Sequence, residues 1–395
     1  MNRYLPTFIC LCMAAACQAR IINVDDDGPA DFNNIQAAIN DANNGNVVLV
    51  APGEYITREP ITFRGKTITV QSEAGPEQTM IRMSDIPSDP ARASVVIFEN
   101  GEKESSVLEG FTLTNGKGSK IGLERPPQPR GGGVLCWGGS PTLKKCRIVG
   151  NSAERGGGVY GCSLILNSEI YKNSARDNGG GVYDVATMIN CRISGNSAGW
   201  AGGIWLSTGG QGNFINCLII GNSGDWGGAI AMDETVTATL TNCTVAENRG
   251  GGIDIDWDYT LKLTSCILRG NIYNSSQGES AQIIGDENGT PIINYCDIQG
   301  WTGAFGGEGN FGSDPLFAKP GYWDDKGTPQ DPSDDFWVEG DYHLKSQAGR
   351  WDVNEGRWTK DEVTSPCIDA GDPHSPIGLE PFPNGGIINM GAYGG

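Results

Sequence analysis

The stretch Asn173-Ser174-Ala175-Arg176-Asp177-Asn178-Gly179-Gly180-Gly181-Val182-Tyr183-Asp184-Val185-Ala186-Thr187-Met188-Ile189-Asn190-Cys191-Arg192-Ile193-Ser194-Gly195-Asn196 is one period of a recurring pattern. It leaves an asparagine, crosses a glycine cluster to a β-branched residue, reaches a cysteine and closes on the next asparagine. Such asparagines stand at 115, 151, 173, 196, 222, 248 and 271, and from Asn151 on the steps are 22, 23, 26, 26 and 23 residues. Five residues before each of the last six is a small residue: Cys146, Ser168, Cys191, Cys217, Cys243 and Cys266. Clusters equivalent to Gly179-Gly180-Gly181-Val182 occur at Gly156-Gly157-Gly158-Val159, Gly202-Gly203-Ile204, Gly227-Gly228-Ala229-Ile230 and Gly250-Gly251-Gly252-Ile253. A period in the low twenties with strand composition specifies a solenoid.

Each coil divides into three short strands: one after the glycines (181–184), one leading into the cysteine (187–191), and one from there to the asparagine (192–196). With no helix between them, the expected fold is all-β, a parallel β-helix with three strands per coil, wound as a solenoid from a single chain. Each strand then pairs with its equivalent one coil on, about 4.8 Å away. The asparagines are expected to stack as an amide ladder at one corner, taking up the left-handed backbone that a sharp corner needs. In-register cysteines would have parallel Cβ vectors at that same spacing, beyond the separation of about 3.5–4.5 Å that a disulfide requires. The column at 146, 191, 217, 243, 266 and 296 therefore reads as buried thiols, while Cys136 and Cys162 on neighbouring coils form the better candidate pair.

Outside the repeats, Asn33-x-x-Gln36 has the form of a capping box, and Ile35, Ala38, Ile39 and Ala42 follow at helical spacing. A short amphipathic helix there would cap the open end of the stack. Residues 117–130 carry three prolines and no period, so a loop leaves the stack and returns. After Cys296 the period fails, and residues 301–395 are expected to form an irregular cap on the C-terminal end. The start of the chain, one basic residue followed by a short apolar run and small residues, has the pattern of a secretory signal peptide over residues 1–19. Cleavage near Ala16 or Ala19 is favoured over lipidation of Cys17. The domain plan is thus signal peptide 1–19, β-helix with its N-terminal cap 20–300, and C-terminal cap 301–395. The expected protein is secreted or held at the cell surface, without a transmembrane segment after processing, and monomeric.

Composition narrows the function. The chain has 28 basic and 47 acidic residues, for a formal charge of -19, which excludes electrostatic binding of a nucleic-acid backbone. Its 59 glycines suit a chain with many tight corners.

Two motifs carry a family resemblance. Gly227-Gly228-Ala229-Ile230 matches the GGA[ILV] repeat of chlamydial polymorphic outer-membrane proteins, and Ile148-Val149-Gly150-Asn151 matches their FxxN with isoleucine for phenylalanine. Asp314-Pro315-Leu316-Phe317, Asp341-Tyr342-His343-Leu344 and Ser365-Pro366-Cys367-Ile368-Asp369-Ala370-Gly371 resemble the closing segment of planctomycete-type secreted repeat proteins. Over residues 21–300 the pattern resembles the pectin-lyase-like superfamily, which implies that the β-helix is right-handed. The chlamydial proteins end in a membrane β-barrel. No amphipathic strand series follows the repeats here, so barrel anchoring is not expected.

Alternation along the strands after the glycines places Tyr160, Tyr183 and Trp205, then Ala231 and Asp254, in one outward column. Two residues on, the outward set is expected to be Trp137, Cys162, Val185, Ser207, Asp233 and Asp256, with Trp200 and Trp226 in the flanking turns. A line of aromatic faces suits stacking on sugar rings, so Tyr160, Tyr183, Trp205, Trp200 and Trp226 are the candidate binding residues for a polysaccharide or cell-surface glycan. Asp233, Asp254, Asp256 and Arg249 are the weaker catalytic candidates, since a carboxylate pair serves glycoside hydrolysis and a base with a nearby cation serves a polysaccharide lyase. Calcium is a candidate ligand of Asp233, Asp254, Asp256 and Asp258, through hard oxygen donors; no metal site of defined spacing is present. The superfamily's enzyme strings are absent: N-T-D, D-D, G-H-G and R-I-K of polygalacturonases, and Y-G-x-D-P-H of alginate epimerases. A glycan-binding protein, a non-enzymatic adhesin or spacer, and a calcium-dependent lyase all remain open at this level.

Overall fold

A computed structural model describes residues 19–122, 126–285, 291–328, 331, 334–353, 355–378, 380 and 384–394. The signal-like residues 1–18 lie outside these. Among the described residues the chain winds as a parallel β-solenoid whose strands form sheets of 18, 10 and 5 strands. The largest sheet contains both the strands after the glycines and those leading into the cysteines. In two coils these fuse into single strands, Val159–Leu166 and Val182–Ile189. The second sheet collects the strands after the cysteines, from Arg147–Val149 to Thr244–Ala246 and beyond, all parallel.

Register is strict because every coil buries the same apolar set. Val159, Val182, Ile204, Ile230 and Ile253 pair in order and are fully buried. A one-residue slip would turn each to solvent. The asparagine ladder runs up one corner. The Oδ1 of Asn173, Asn196, Asn222, Asn248 and Asn271 each accepts from the Nδ2 of the asparagine one coil before, at 2.8–3.1 Å. The same oxygens accept the preceding asparagines' backbone N–H groups. Gln282 ends the ladder, accepting from Asn271 at 2.7 Å. Asn115 stands apart from it: its amide turns to the Met83 carbonyl and Asp85, and the backbone N–H of Gly116 bonds to Asn151 instead.

The left-handed corners differ from the expected ones. They fall on the residue before each ladder asparagine, as at Gly150, Gly195 and Gly221, and on the residue before each member of the cysteine column, which is an asparagine at Asn167 (before Ser168), Asn190, Asn216 and Asn242. The latter begin a second, outer ladder, in which Asn190 donates to Asn167 and Asn216 to Asn190 at 3.1 Å. The cysteine column is buried and free of disulfides. Its thiols donate to backbone carbonyls, as Cys191 does to Ile189 at 3.3 Å, and burial pushes Cys146 up to about 11. Cys136 and Cys162 lie 3.3 Å apart as paired thiols inside the core.

The N-terminal helix is Ile35–Asp41, with Ile35, Ala38 and Ile39 buried against the first coil. Its cap is Asn34, one residue later than the capping-box expectation, and Asn34 accepts from Ala37 at 2.8 Å. Gln36 instead bonds to the backbone of Thr62 through both ends of its amide. Residues 117–130 return to the stack as two short strands, Gly118–Lys120 and Pro129–Arg130, in an otherwise separate side sheet.

The C-terminal region is the main departure from expectation. Trp301 and Phe305 pack against the end of the core. The chain then turns back along the flank rather than staying on the end. Phe317, Trp337, Tyr342, Cys367, Met390 and Ala392 form a second apolar cluster with Leu218, Ile220, Ala246 and Ile267, the outward residues of the second sheet. Trp337 lies on the backbones of Gly195 and Gly221; a Cβ at Gly221 would come within 2.0 Å of its ring. Strand-type pairs in this region are antiparallel: Tyr322–Asp324 with Phe336–Val338, and Arg350–Asp352 with Arg357–Thr359.

Candidate functional site

The outward column is real, but it changes character along its length. Tyr160, Tyr183, Trp205, Ala231 and Asp254 occupy consecutive rungs in register. At the first end Tyr160 stacks on Tyr183 at 4.6 Å and 9°. The returning segment then lays Arg130 over Tyr160 and Trp137, with the guanidinium 5.2 and 5.0 Å from the ring centroids. Tyr183 is left only 9% exposed, and burial beside Tyr160 and Asp184 pushes its phenol up to about 12. These tyrosines pack against each other and Arg130 and do not offer a free stacking face at Tyr183.

The second outward set fails in the same coils. Cys162 and Val185 are each 2% exposed and point into the core. The cause is a left-handed residue between the two positions, Gly161 and Asp184, which interrupts simple alternation. In the longer coils no such residue intervenes, and Leu206, Met232 and Ile255 turn inward while Ser207, Asp233 and Asp256 face out.

At the other end the column opens into a cleft of about 250 Å³ lined by Trp200, Trp205, Trp226, Ala231, Met232, Asp254, Ile255 and Asp256. Its shape follows from one small residue. Trp205 and Asp254 sit two rungs apart, about 9.6 Å at the strand spacing, and the intervening rung is Ala231. The alanine forms a floor between an indole wall and a carboxyl wall. Trp200 meets Trp205 edge-on at 6.1 Å and stacks on Trp226 at 6.2 Å. Trp226 continues to Tyr273 at 5.9 Å. Trp200 and Trp226 remain 47% and 45% exposed. Tyr273 escapes alignment by spacing: it follows its ladder asparagine by two positions, whereas Trp200 and Trp226 follow theirs by four.

Burial in the cleft, reinforced by the neighbouring Asp256, pushes the Asp254 carboxyl up to about 6. Asp256 lines the same cleft, but Asp233 and Asp258 do not join it. Asp233 accepts from Thr208 at 3.0 Å and from the Glu234 backbone, and Asp258 is exposed at a left-handed turn. The four aspartates do not converge as a calcium site. Among the described residues, only Asp25, Asp26 and Asp27 bring three such ligand atoms within 4.8 Å of one another. Arg249 is likewise engaged elsewhere: its guanidinium pairs with Asp335 and lies 4.4 Å over the Trp323 ring. The expected pairing of Arg249 with Asp254 and Asp256 is thereby lost, because the C-terminal segment, folded along the flank, supplies a better partner.

A parallel β-solenoid with one aromatic and acidic groove on its outer face defines the class. The right-handed β-helix region family matches residues 132–298, and the disaggregatase-related family matches residues 329–371. The solved structure of a pectate lyase, Pel9A, is similar over 95% of this chain and 96% of its own, with 15% sequence identity and a TM-score of 0.52. A pectin methylesterase from carrot covers 74% of this chain and 82% of its own at 12% identity and a TM-score of 0.39. One from Yersinia enterocolitica covers 78% and 86% at 13% identity and 0.27. No curated protein matches the chain. The chain thus carries a right-handed β-helix region in a pectate-lyase-like solenoid. No described helix is long and apolar enough to cross a membrane.

Proposed function

We propose that this is a secreted or cell-surface β-helix protein that binds polysaccharide in the cleft between Trp205 and Asp254. The observation that carries this is the convergence of three tryptophans and Asp254 on one open cleft, with two of the rings nearly half exposed. Exposed indoles stacked on one another in the turns beside a rigid sheet offer flat apolar faces that need little ordering on binding. The carboxyl supplies hydrogen bonds to ring hydroxyls. Likeness of fold to a pectate lyase fits a polysaccharide ligand. The formal charge of -19 and the acidic cleft wall favour a neutral chain over a polyuronate. Binding isotherms for neutral and acidic polysaccharides, with a Trp205→Ala/Trp226→Ala variant beside the wild type, test the proposal. Affinity for the neutral ligand should fall about tenfold or more. Unchanged affinity in the variant sinks the cleft as the binding site.

A second reading, hydrolysis, draws on the raised Asp254 carboxyl. An acid that titrates near 6 is suited to proton transfer close to neutrality. Release of reducing ends that vanishes in Asp254→Asn supports it, and no release from any bound polysaccharide removes it.

A further inference from the structure

The solenoid flank and the C-terminal segment enclose a second cavity, of about 670 Å³, on a different face from the tryptophan cleft. That volume lies within the range of small-ligand sites. Its floor includes the outer ladder residues Asn167 and Asn190, both exposed and tied to each other at 3.1 Å, so their amides present a fixed row of donors and acceptors. Its opposite wall carries Trp351 and Trp358, directly paired across the hairpin Arg350–Asp352 and Arg357–Thr359. Both rings stay about half exposed, at 46% and 49%. Trp358 lies against Gly349, where a Cβ would meet its Nε1 at 2.0 Å; the backbone there has φ +123°, so both space and conformation call for glycine.

His343 closes one side, and its ring is held firmly. Nδ1 lies 2.6 Å from Asp341, and Tyr393 stacks on the ring at 3.9 Å and 13°. Asp341 is itself held by Arg350 at 3.2 Å, and Arg350 by Asp361 at 3.0 Å. With Nδ1 committed, Nε2 is the ring atom available to a ligand. His374 sits in the same Asp-x-His turn with Asp372, but its side chain is 86% exposed and lines no part of this cavity. The local turn alone does not make a site; its placement does.

The basic side chains around the cavity are answered by carboxylates, whereas two lining carboxyls, Asp369 and Glu380, have no cation beside them among the described residues and accept only the backbone N–H groups of Gly385 and Asn389. Glu169 pairs with Arg147 at 3.0 Å, Arg192 with Glu339 at 3.9 Å, and Arg350 with its aspartates. Two indoles and oriented amides, beside carboxyls that repel an anionic chain and accept hydroxyl protons, match an uncharged polyhydroxylated ring. We infer that this cavity is a second saccharide site, which takes the end of a neutral oligosaccharide between the Trp351 and Trp358 pair and the Asn167–Asn190 ladder, with His343 bonding to a hydroxyl.

Calorimetric titration of the full chain with neutral hexasaccharides (gluco-, xylo- and manno-configured) and with hexagalacturonate tests this. Wild type should bind a neutral hexasaccharide at two sites. Trp351→Ala/Trp358→Ala should lose one of them, with at least a tenfold drop in that site's affinity, and Trp205→Ala the other. Asn190→Ala, an exposed ladder position, should weaken the same site as the tryptophan pair and guards against misfolding of that variant. If the pair and Asn190→Ala both bind like wild type while Trp205→Ala does not, this inference falls and the first cleft stands. Loss confined to the pair and Asn190→Ala keeps this site and overturns the first. Preference for hexagalacturonate at this cavity, or no binding by wild type, also overturns the inference.

Discussion

At the residue scale, stability concentrates in the buried amides. Asn196 accepts from both the backbone and the side chain of Asn173, and it donates to the Ile170 carbonyl and to Asn222, all at 2.9–3.1 Å. Asn196→Ala strands several buried polar groups at once, and a loss of about 2–4 kcal/mol is expected from such groups left unsatisfied. Asn190→Ala, on the outer ladder where water replaces the lost bond, should cost less, about 1–2 kcal/mol, most of it from alanine at a left-handed φ of 54°. Chemical denaturation of the two variants checks this contrast; equal losses would contradict it. The inner ladder was legible because a fixed spacing places its members in register. The outer ladder has the same period, as the asparagine before Cys191, Cys217 and Cys243, but a polar residue facing solvent is common on any strand edge and its spacing alone does not distinguish a ladder. Asp254 was legible as an outward acid, while its raised titration was not, since that depends on how side chains from neighbouring coils bury it and on the Asp256 beside it.

At the level of elements, the C-terminal segment decides the most. Its path was signalled by Leu218-Ile219-Ile220, a continuous apolar run where the earlier equivalents Arg147-Ile148-Val149 and Glu169-Ile170-Tyr171 present charge outward. A strand apolar on both faces is covered on both. That difference is easily lost when coils are aligned by their inward residues alone. Beneath the segment, burial pushes Glu247 up to about 7 despite the opposing field of Arg269. Burial does the same to Asp297, likewise to about 7, against the hydrogen bond from Cys367. Both native values lie above the ordinary 4.5 and 3.8. Between about pH 4 and 7 the folded state therefore holds protons that the unfolded chain has released, so stability falls as pH rises through that window. A higher melting temperature at pH 5 than at pH 8 is expected, with the difference reduced in Glu247→Gln. A melting temperature that climbs over the same range would refute the assignment.

For the whole molecule, a solenoid is a chain of neighbours, and each coil's stability depends on what it touches. The first coils, up to about Phe98, carry the helix Ile35–Asp41 as their lid. The later coils are additionally bound by the C-terminal segment through Leu218, Ile220, Ala246 and Ile267. The spacing of asparagines revealed the winding, because winding is a local repeat. Which coils receive a second layer was hidden, because that layer comes from a region without a period. Hydrogen exchange should expose the asymmetry: amides of Leu218–Ile220 and Thr244–Ala246 should be protected longer than those of Val47–Val50 and Thr69–Ser72. Gly221→Val would set a branched side chain where Trp337 now rests, at a left-handed φ of 56°, and should detach the segment. The parallel strands would persist by circular dichroism, while residues 313–394 become open to protease and the protection of Leu218–Ile220 drops toward that of the first coils. Retained protection in that variant would mean that the solenoid core, and not the layer on its flank, sets the order in which the coils open.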